Sequence, residues 1–483
     1  LPVKQGELSY TFGDMLHGVY STRMYLKTAN RAAQDLLERQ AEPLAALAWK
    51  AAGRGYPRDL LWHAWRELLK NHPHDDICGC SADQVHRDME HRFGVVQQVG
   101  EFLAREALRA LGNALDTSAR EGAPFMVFNP LGVRRREVFT LPLDLHPEKE
   151  PWRRFVICDE SGTEIPFVLK HSEDVGWMEP LKGVEARRHW VAFELSLPGC
   201  GYRTLYVKHG APETAVARVS VASRRFENEF YRLSIESDGS LTLDDKASGQ
   251  HLSGLLVFED QEDAGDVYNW SPLPVHPAPV TTEGKRASVE LVDKDALSAT
   301  WRITHRMLLP ESLSPNRESR SGNRVPLEIE AEVRCRAGSP RIDVTVRLEN
   351  TVRDHRLRAL FPTTLRTKTV DVDGHFGVIT RSIEMPTAHN GVPPYPTQHA
   401  GRFAALHDSQ KGFAVLNDGL PEFEVLKSGR QRVLAQTLFR AVDGLSRDDL
   451  ITRPGHTGPP MPTPEAQCMR PMAFRLAFMA YEG

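Results

Sequence analysis

The chain has 483 residues, too many for one ordinary hydrophobic core, so two to four domains are expected. It is 41% hydrophobic and 26% charged, with a formal net charge of −4, which gives no electrostatic reason to expect nucleic acid or a membrane surface as partner. No run of apolar residues is long enough to span a bilayer, and the opening LPVKQGELSYTFGD lacks the charged start and apolar stretch of a secretory signal.

Two textures divide near residue 122. The first is helical. Ser21 or Thr22 is placed to cap a helix through STRMYLKTANRAAQDLLERQAEPLAALAWKAAG, with Leu26, Ala29, Ala33, Leu36 and Leu37 at helical spacing and Gly53 and Gly55 at its end. Pro43 predicts a kink or break inside it. A second helix fits PRDLLWHAWRELLKNH, with Pro57 in the first turn and Leu61, Trp65, Leu68 and Leu69 on one face. A third is expected from Ser81, where Ser81 and Gln84 form a capping-box pattern. Its stripe (Val85, Met89, Phe93, Val96, Phe102, Leu103, Leu111, Leu115) continues to about Thr117, roughly 55 Å at about 1.5 Å per residue. Three such helices joined by short connections predict an antiparallel three-helix bundle.

After GAPFMVFNPLG the pattern becomes short alternating runs. LEIEAEVRC and RIDVTVRL, joined by AGSP, read as a hairpin with one buried face; YRLSIESDGSLTL reads as another, turning at Asp238-Gly239. The predicted organisation is multidomain α plus β: 1–122 helical, 123–220 a small β domain, and 221–483 a large antiparallel β-sandwich, with a linker before Arg224. RPGHTGPPMPTPEAQ is a Pro-rich loop too long for a tight turn.

The densest polar constellation is NHPHDDICGCSADQVH, residues 71 to 86, in the connection between the second and third helices. Histidine is the commonest zinc ligand, and a neighbouring Asp can orient it or bind sugar hydroxyls. On spacing alone, solvated capping chemistry is the favoured reading of such a run. A local zinc site of His74, Cys78 and Cys80 is a third reading, although one intervening residue is poor spacing for a zinc knuckle. The six cysteines are otherwise isolated, which points to a reducing, cytoplasmic setting rather than a disulfide framework.

The run His72-Pro73-His74-Asp75-Asp76-Ile77-Cys78-Gly79-Cys80 resembles the motif of the family 38 glycoside hydrolases, the class II α-mannosidases, and within them the bacterial branch. GVYSTRMYLKTANR, VFNPLG, FENEFYRLSIESDGSLTL, GDVYNWSP, DHRLRALFPT, GLPEFEV and TRPGHTGP resemble further family segments in the same order, covering nearly the whole chain. The resemblance implies a three-helix middle domain followed by β domains of galactose-mutarotase-like supersandwich type. It implies a zinc cofactor with His74 as ligand, Asp75 on the mannose hydroxyls, and Tyr268 as a further sugar contact. For Tyr268, packing at a strand end is an equal alternative. Arg440 and the RPGHTG loop could border the same cleft, with a structural role favoured; Arg23 and His355 read as helix-start and strand-edge partners.

The resemblance also implies that the remaining zinc ligands, the nucleophile and the acid/base come from an N-terminal α/β domain. The chain opens almost directly on the helical region, so it is expected to be truncated at both ends, with no catalytic carboxylate of its own and weak zinc binding at best. Retaining hydrolysis needs two carboxylates about 5–5.5 Å apart across the scissile bond, which adjacent Asp75 and Asp76 would not provide. The expected function is that of part of a zinc-dependent retaining α-mannosidase. The alternatives are a carbohydrate-binding or assembly module and a complete small zinc hydrolase built on His74. Apolar surface left uncovered would be the route to a homo-oligomer.

Overall fold

The computed structural model describes residues 16–118, 120–145, 154–179, 182–212, 216–384 and 395–483. The LPVKQGELSYTFGD segment lies outside the described residues. A helical region leads into an antiparallel β region, and no helix among the described residues is long and apolar enough to cross a membrane.

The helices are α1 (Met24–Leu36), α2 (Glu42–Ala52), α3 (Arg58–Leu69), the single turn α4 (His74–Ile77) and α5 (Asp83–Asn113). Leu26, Ala33, Leu37, Leu61, Leu68, Met89, Phe93, Val96 and Leu103 form their shared core. Four local expectations change. Helix α1 starts at Met24, not at a Ser21 or Thr22 cap, because those hydroxyls are taken by distant partners: Ser21 donates to Glu422 at 2.7 Å and Thr22 to the Val267 carbonyl at 2.7 Å. The interruption expected at Pro43 falls just before it. A π-helical turn, Leu37–Ala41, precedes it, and Pro43 sits in the first turn of α2, where its missing N–H is harmless. Helix α5 begins at Asp83 with Ala82, which has no capping side chain, at the N-cap; Ser81 lies one residue too early and donates its backbone N–H to His86. Leu69 and Phe102 are exposed rather than core, lying at the flank of the stripe that faces the other helices.

The first β region has two three-stranded sheets. One runs Ala123–Asn129, Gly201–His209, Phe155–Cys158, and the other Arg135–Leu145, Lys182–Leu197, Val168–Glu179. Their core is Val127, Leu143, Phe155, Phe193, Leu205 and neighbours. The segment before Arg224 ends in a paired strand rather than a free linker, because Ser220–Ala222 pairs with Arg225–Glu227 at the edge of a five-stranded sheet.

The second β region is built on a nine-stranded sheet of described residues. Arg324–Arg336 and Ile342–Glu349 lie adjacent in the predicted hairpin register, with Leu327, Ile329, Ala331, Val333 and Cys335 fully buried. Alternation forces this register, since a one-residue slip would turn all five to solvent. A six-stranded sheet runs Val280–Thr281, Val257–Glu262, His355–Pro362, Gln431–Ala441, Glu422–Ser428, Thr397–His399. His355 is therefore on an interior strand, not an edge. It is fully buried, with Nδ1 2.6 Å from Asp260 and Nε2 3.1 Å from Asn350.

The six-stranded sheet carries buried charge where most sheets carry aliphatic residues: Glu259, Asp260, Glu262, Arg356, Arg358, Glu422 and Arg440. Arg358 donates to Glu259 at 2.9 Å and to Glu424 at 2.5 Å. Charges this deep are costly unless they are paired; two of them also tie the sheet to the helical region, since Glu422 accepts from Ser21 and Arg440 donates to the Gly18 carbonyl.

Candidate functional site

The loop between α3 and α5 is shaped by its own backbone. Cys78 N donates to the His74 carbonyl at 3.0 Å, Gly79 N to Asp76 at 2.9 Å and Cys80 N to Asp75 at 3.1 Å. Gly79 has φ +79°, a left-handed conformation that glycine adopts without strain. Arg23, fully buried, donates through Nε to the Gly79 carbonyl at 3.3 Å and pairs with Asp83 at the start of α5. Asn71 anchors the approach by donating to the Met89 carbonyl at 3.1 Å, and His72 turns inward to Asn30 at 2.9 Å.

This scaffolding pushes two side chains outward. His74 is 89% exposed and Asp75 59%, with Nε2 of one 3.5 Å from Oδ1 of the other. Asp76 points elsewhere, 4.0 Å from Arg92, and burial raises its pKa. Asp75 Oδ1 also lies 3.6 Å from the Cys80 sulfur.

Facing this loop is a turn from the β region. After the strand Val257–Glu262 the chain coils through Asp263–Trp270 around two carboxylates. Asp266 Oδ1 accepts from Tyr268 N at 3.0 Å and from Asn269 N at 2.9 Å, and Asp263 Oδ1 accepts from Gly265 N at 2.9 Å. Two arginines brace it. Arg440 donates to Asp263 at 2.6 Å, to the Asp266 carbonyl at 2.9 Å and to the Gly18 carbonyl at 3.0 Å. Arg453 donates to Asp266 Oδ2 at 2.7 Å and to Asn269 at 2.6 Å. The turn thereby presents Tyr268, 8% exposed, in one apolar cluster with Cys80, Val267, Val442, Leu445 and Ala466. Burial, with the charge of nearby Asp75 adding to it, pushes the Tyr268 hydroxyl up to about 12, so it is a proton donor at neutral pH. A Cβ on Gly458 would stand 2.8 Å from that hydroxyl, so the RPGHTG loop closes against it.

The structure thus brings Asp75 and Tyr268, from the helical and β regions, to one place with His74 beside them. Arg440 is fully buried and acts as a brace. Arg453 and Gly458 were not singled out individually by sequence reasoning; they are the first and last residues of the RPGHTG segment, which the family resemblance had marked as a border of the cleft.

One imidazole and one carboxylate fall short of the three or four ligands a zinc centre needs, and among the described residues no group of three or more His, Cys, Asp or Glu is arranged to hold a metal ion. The described residues alone do not fit a complete zinc site. All six cysteines are unbridged. The interaction between the neighbouring Cys78 and Cys80 thiols lowers the pKa of Cys78 and raises that of Cys80.

Comparison with known proteins bears on the family of the chain. The family signature described as "Alpha mannosidase middle domain" matches residues 14–111, and "Glycosyl hydrolases family 38 C-terminal domain" matches residues 226–443. A putative mannosylglycerate hydrolase of Halalkalibacterium halodurans is 26% identical, covering 96% of this chain and 54% of that protein. The crystal structure of an α-mannosidase from Enterococcus faecalis superposes with a TM-score of 0.83 at 31% identity, over 97% of this chain and 55% of that one. A second family 38 structure from Enterococcus faecalis gives a TM-score of 0.85 at 31% identity, over 97% of this chain and 57% of that one. The chain spans about half the length of the relatives it matches. With its helical region and its large β region each matching a domain of that family in the same order, the chain belongs to glycoside hydrolase family 38.

Proposed function

We propose that this chain forms part of the active site of a zinc-dependent retaining α-mannosidase, supplying one metal ligand and two sugar contacts. His74 is the proposed ligand through its exposed imidazole. Asp75 accepts hydrogen bonds from mannose hydroxyls, and Tyr268 donates one from a phenol that burial keeps protonated. The supporting observation is the convergence of Asp75 and Tyr268 beside Cys80, one from the helical region and one from the β region.

The carboxylate pair of retaining hydrolysis is assigned to residues beyond this chain's described ones. Asp75 faces Cys80 and His74 while Asp76 faces Arg92, so the two do not flank a common bond. The helical region is read as the family's three-helix middle domain, residues 123–220 as a small β domain, and 221–483 as the supersandwich. The unbridged cysteines support a reducing, cytoplasmic compartment. A small aglycone, as in the mannosylglycerate of the bacterial relative's name, is the proposed substrate class.

The test is hydrolysis of an aryl α-mannoside by this chain with zinc supplied, an EDTA control, and binding of methyl α-mannoside followed by NMR. Binding without turnover, weakened by Asp75→Asn and by Tyr268→Phe, is expected. Turnover lost with EDTA and with His74→Ala would overturn the assignment of the carboxylates elsewhere. Binding indifferent to both substitutions would overturn the sugar contacts.

A further inference from the structure

A cavity of about 680 Å³ lies between α1 and the edge of the β region, sharing Ile77 and Cys78 with the motif loop. Its lining includes Lys27, Asn30, Arg31, His375, His399 and Arg402. Lys27 is only 8% exposed. Its ammonium donates to the Thr22 carbonyl and, at 3.0 Å, to the Cys78 carbonyl, and no carboxylate pairs with it among the described residues. Both acceptors are uncharged, so a full positive charge sits at the cavity wall without a counter-ion, a costly arrangement unless something supplies one.

Arg31, one helical turn further on, repeats the pattern. Its guanidinium donates to the Gly401 carbonyl at 3.2 Å and, among the described residues, reaches no carboxylate in ion-pair range. The other two cationic lining residues are already served, since Asp35 pairs with both Arg39 and Arg402. Among the described residues the acidic lining residues form no ion pair with Lys27 or Arg31, although Asp35, Asp418 and Asp373 act on Arg31 from further off. Glu38 is exposed to solvent, and Asp373 meets Gly401 through its backbone carbonyl. Burial lowers the pKa of both cations, Lys27 to about 8.

We infer that this cavity is an anion site that takes one carboxylate or phosphate group between Lys27 and Arg31. The inference goes beyond the sugar site and does not depend on it. Such a group completes the hydrogen bonding of an ammonium and a guanidinium that protein groups leave short of charge, and charge-assisted bonds of this kind are the strong ones. The shared wall at Cys78 allows two sources: a free anion, or an acidic group on the aglycone of a bound glycoside.

The experiment is calorimetric titration of the whole chain with inorganic phosphate and, separately, with glycerate. Saturable one-to-one binding is expected for both. Arg31→Gln should weaken it by about tenfold or more, because a charged hydrogen bond is lost. Lys27→Met, which keeps the unbranched stem, should weaken it further. If that buried substitution prevents folding, the half-buried Arg31 variant still decides. No saturable binding of either anion, or equal affinity in wild type and Arg31→Gln, overturns the site. Two further results both uphold it and separate the sources. Phosphate affinity unchanged by saturating methyl α-mannoside indicates a free anion. Mannosylglycerate binding more tightly than methyl α-mannoside, with the gain lost in Arg31→Gln, indicates the aglycone.

Discussion

The two halves of the candidate site are held in opposite ways. The His74–Asp75 loop takes its shape mainly from its own backbone, one helical turn and a glycine in the left-handed region, with Arg23 and Asn71 anchoring it and both functional side chains left in solvent. The Asp263–Trp270 turn is long-range work, its carboxylates held by arginines from far along the chain. The first half can be altered without disturbing the fold. The second cannot, because every group that aims Tyr268 is also a buried charge or its partner.

The largest effect is therefore expected from Arg440→Met. It leaves Asp263 buried without its counter-charge, and breaking such a pair costs about 3–5 kcal/mol. A urea midpoint close to wild type would show that the turn is held by something else. Next comes Gly18→Ala. A Cβ there would fall within contact distance of the Arg440 guanidinium and 2.7 Å from the Tyr268 carbonyl oxygen, so about 1–3 kcal/mol should be lost in the same measurement.

A pH titration of stability divides the regions differently. Burial lowers the pKa of His17 and His305 to about 4 and of His86 to about 3, from 6.5. Unfolded chains take up these protons first, so the stability these residues contribute is fully present above about pH 6.5 and is lost as pH falls toward their folded values. Tm should drop between pH 7 and pH 5, and His86→Gln should flatten that drop. An unchanged slope would mean His86 is protonated in the fold. The smallest effect belongs to His74→Ala. For a side chain 89% exposed, stability should stay within about 0.5 kcal/mol of wild type while any zinc affinity of the chain falls.

The same division decided what could be read from the sequence. The helices, the Asp238-Gly239 turn and the Arg324–Arg336 hairpin follow from local periodicity and turn chemistry, and all are present. The motif loop was visible because Pro, Gly and charged residues cluster between two apolar stripes. The errors came where a local signal was spent on a distant partner. Ser21 and Thr22 have the right side chains for a helix cap, but Glu422 and Val267 bind them instead. His355 looked like an edge residue because its partner, Asp260, lies in a strand almost a hundred positions away. Tyr268 was reachable only through family resemblance, since the braces that aim it are Arg440 and Arg453. No spacing rule connects those residues.

The π-helical turn at Leu37–Ala41 acts as a phase shifter. It accommodates an extra residue within an otherwise continuous α-helical rod, and each residue of an α-helix advances the face by about 100°. Upstream of it, Lys27 and Arg31 face the cavity; downstream, Leu44, Ala45 and Ala48 face the helical core. A single-residue deletion in that turn would leave both helices intact as helices yet rotate one face against the other. The rod could then satisfy the core or the cavity, but not both.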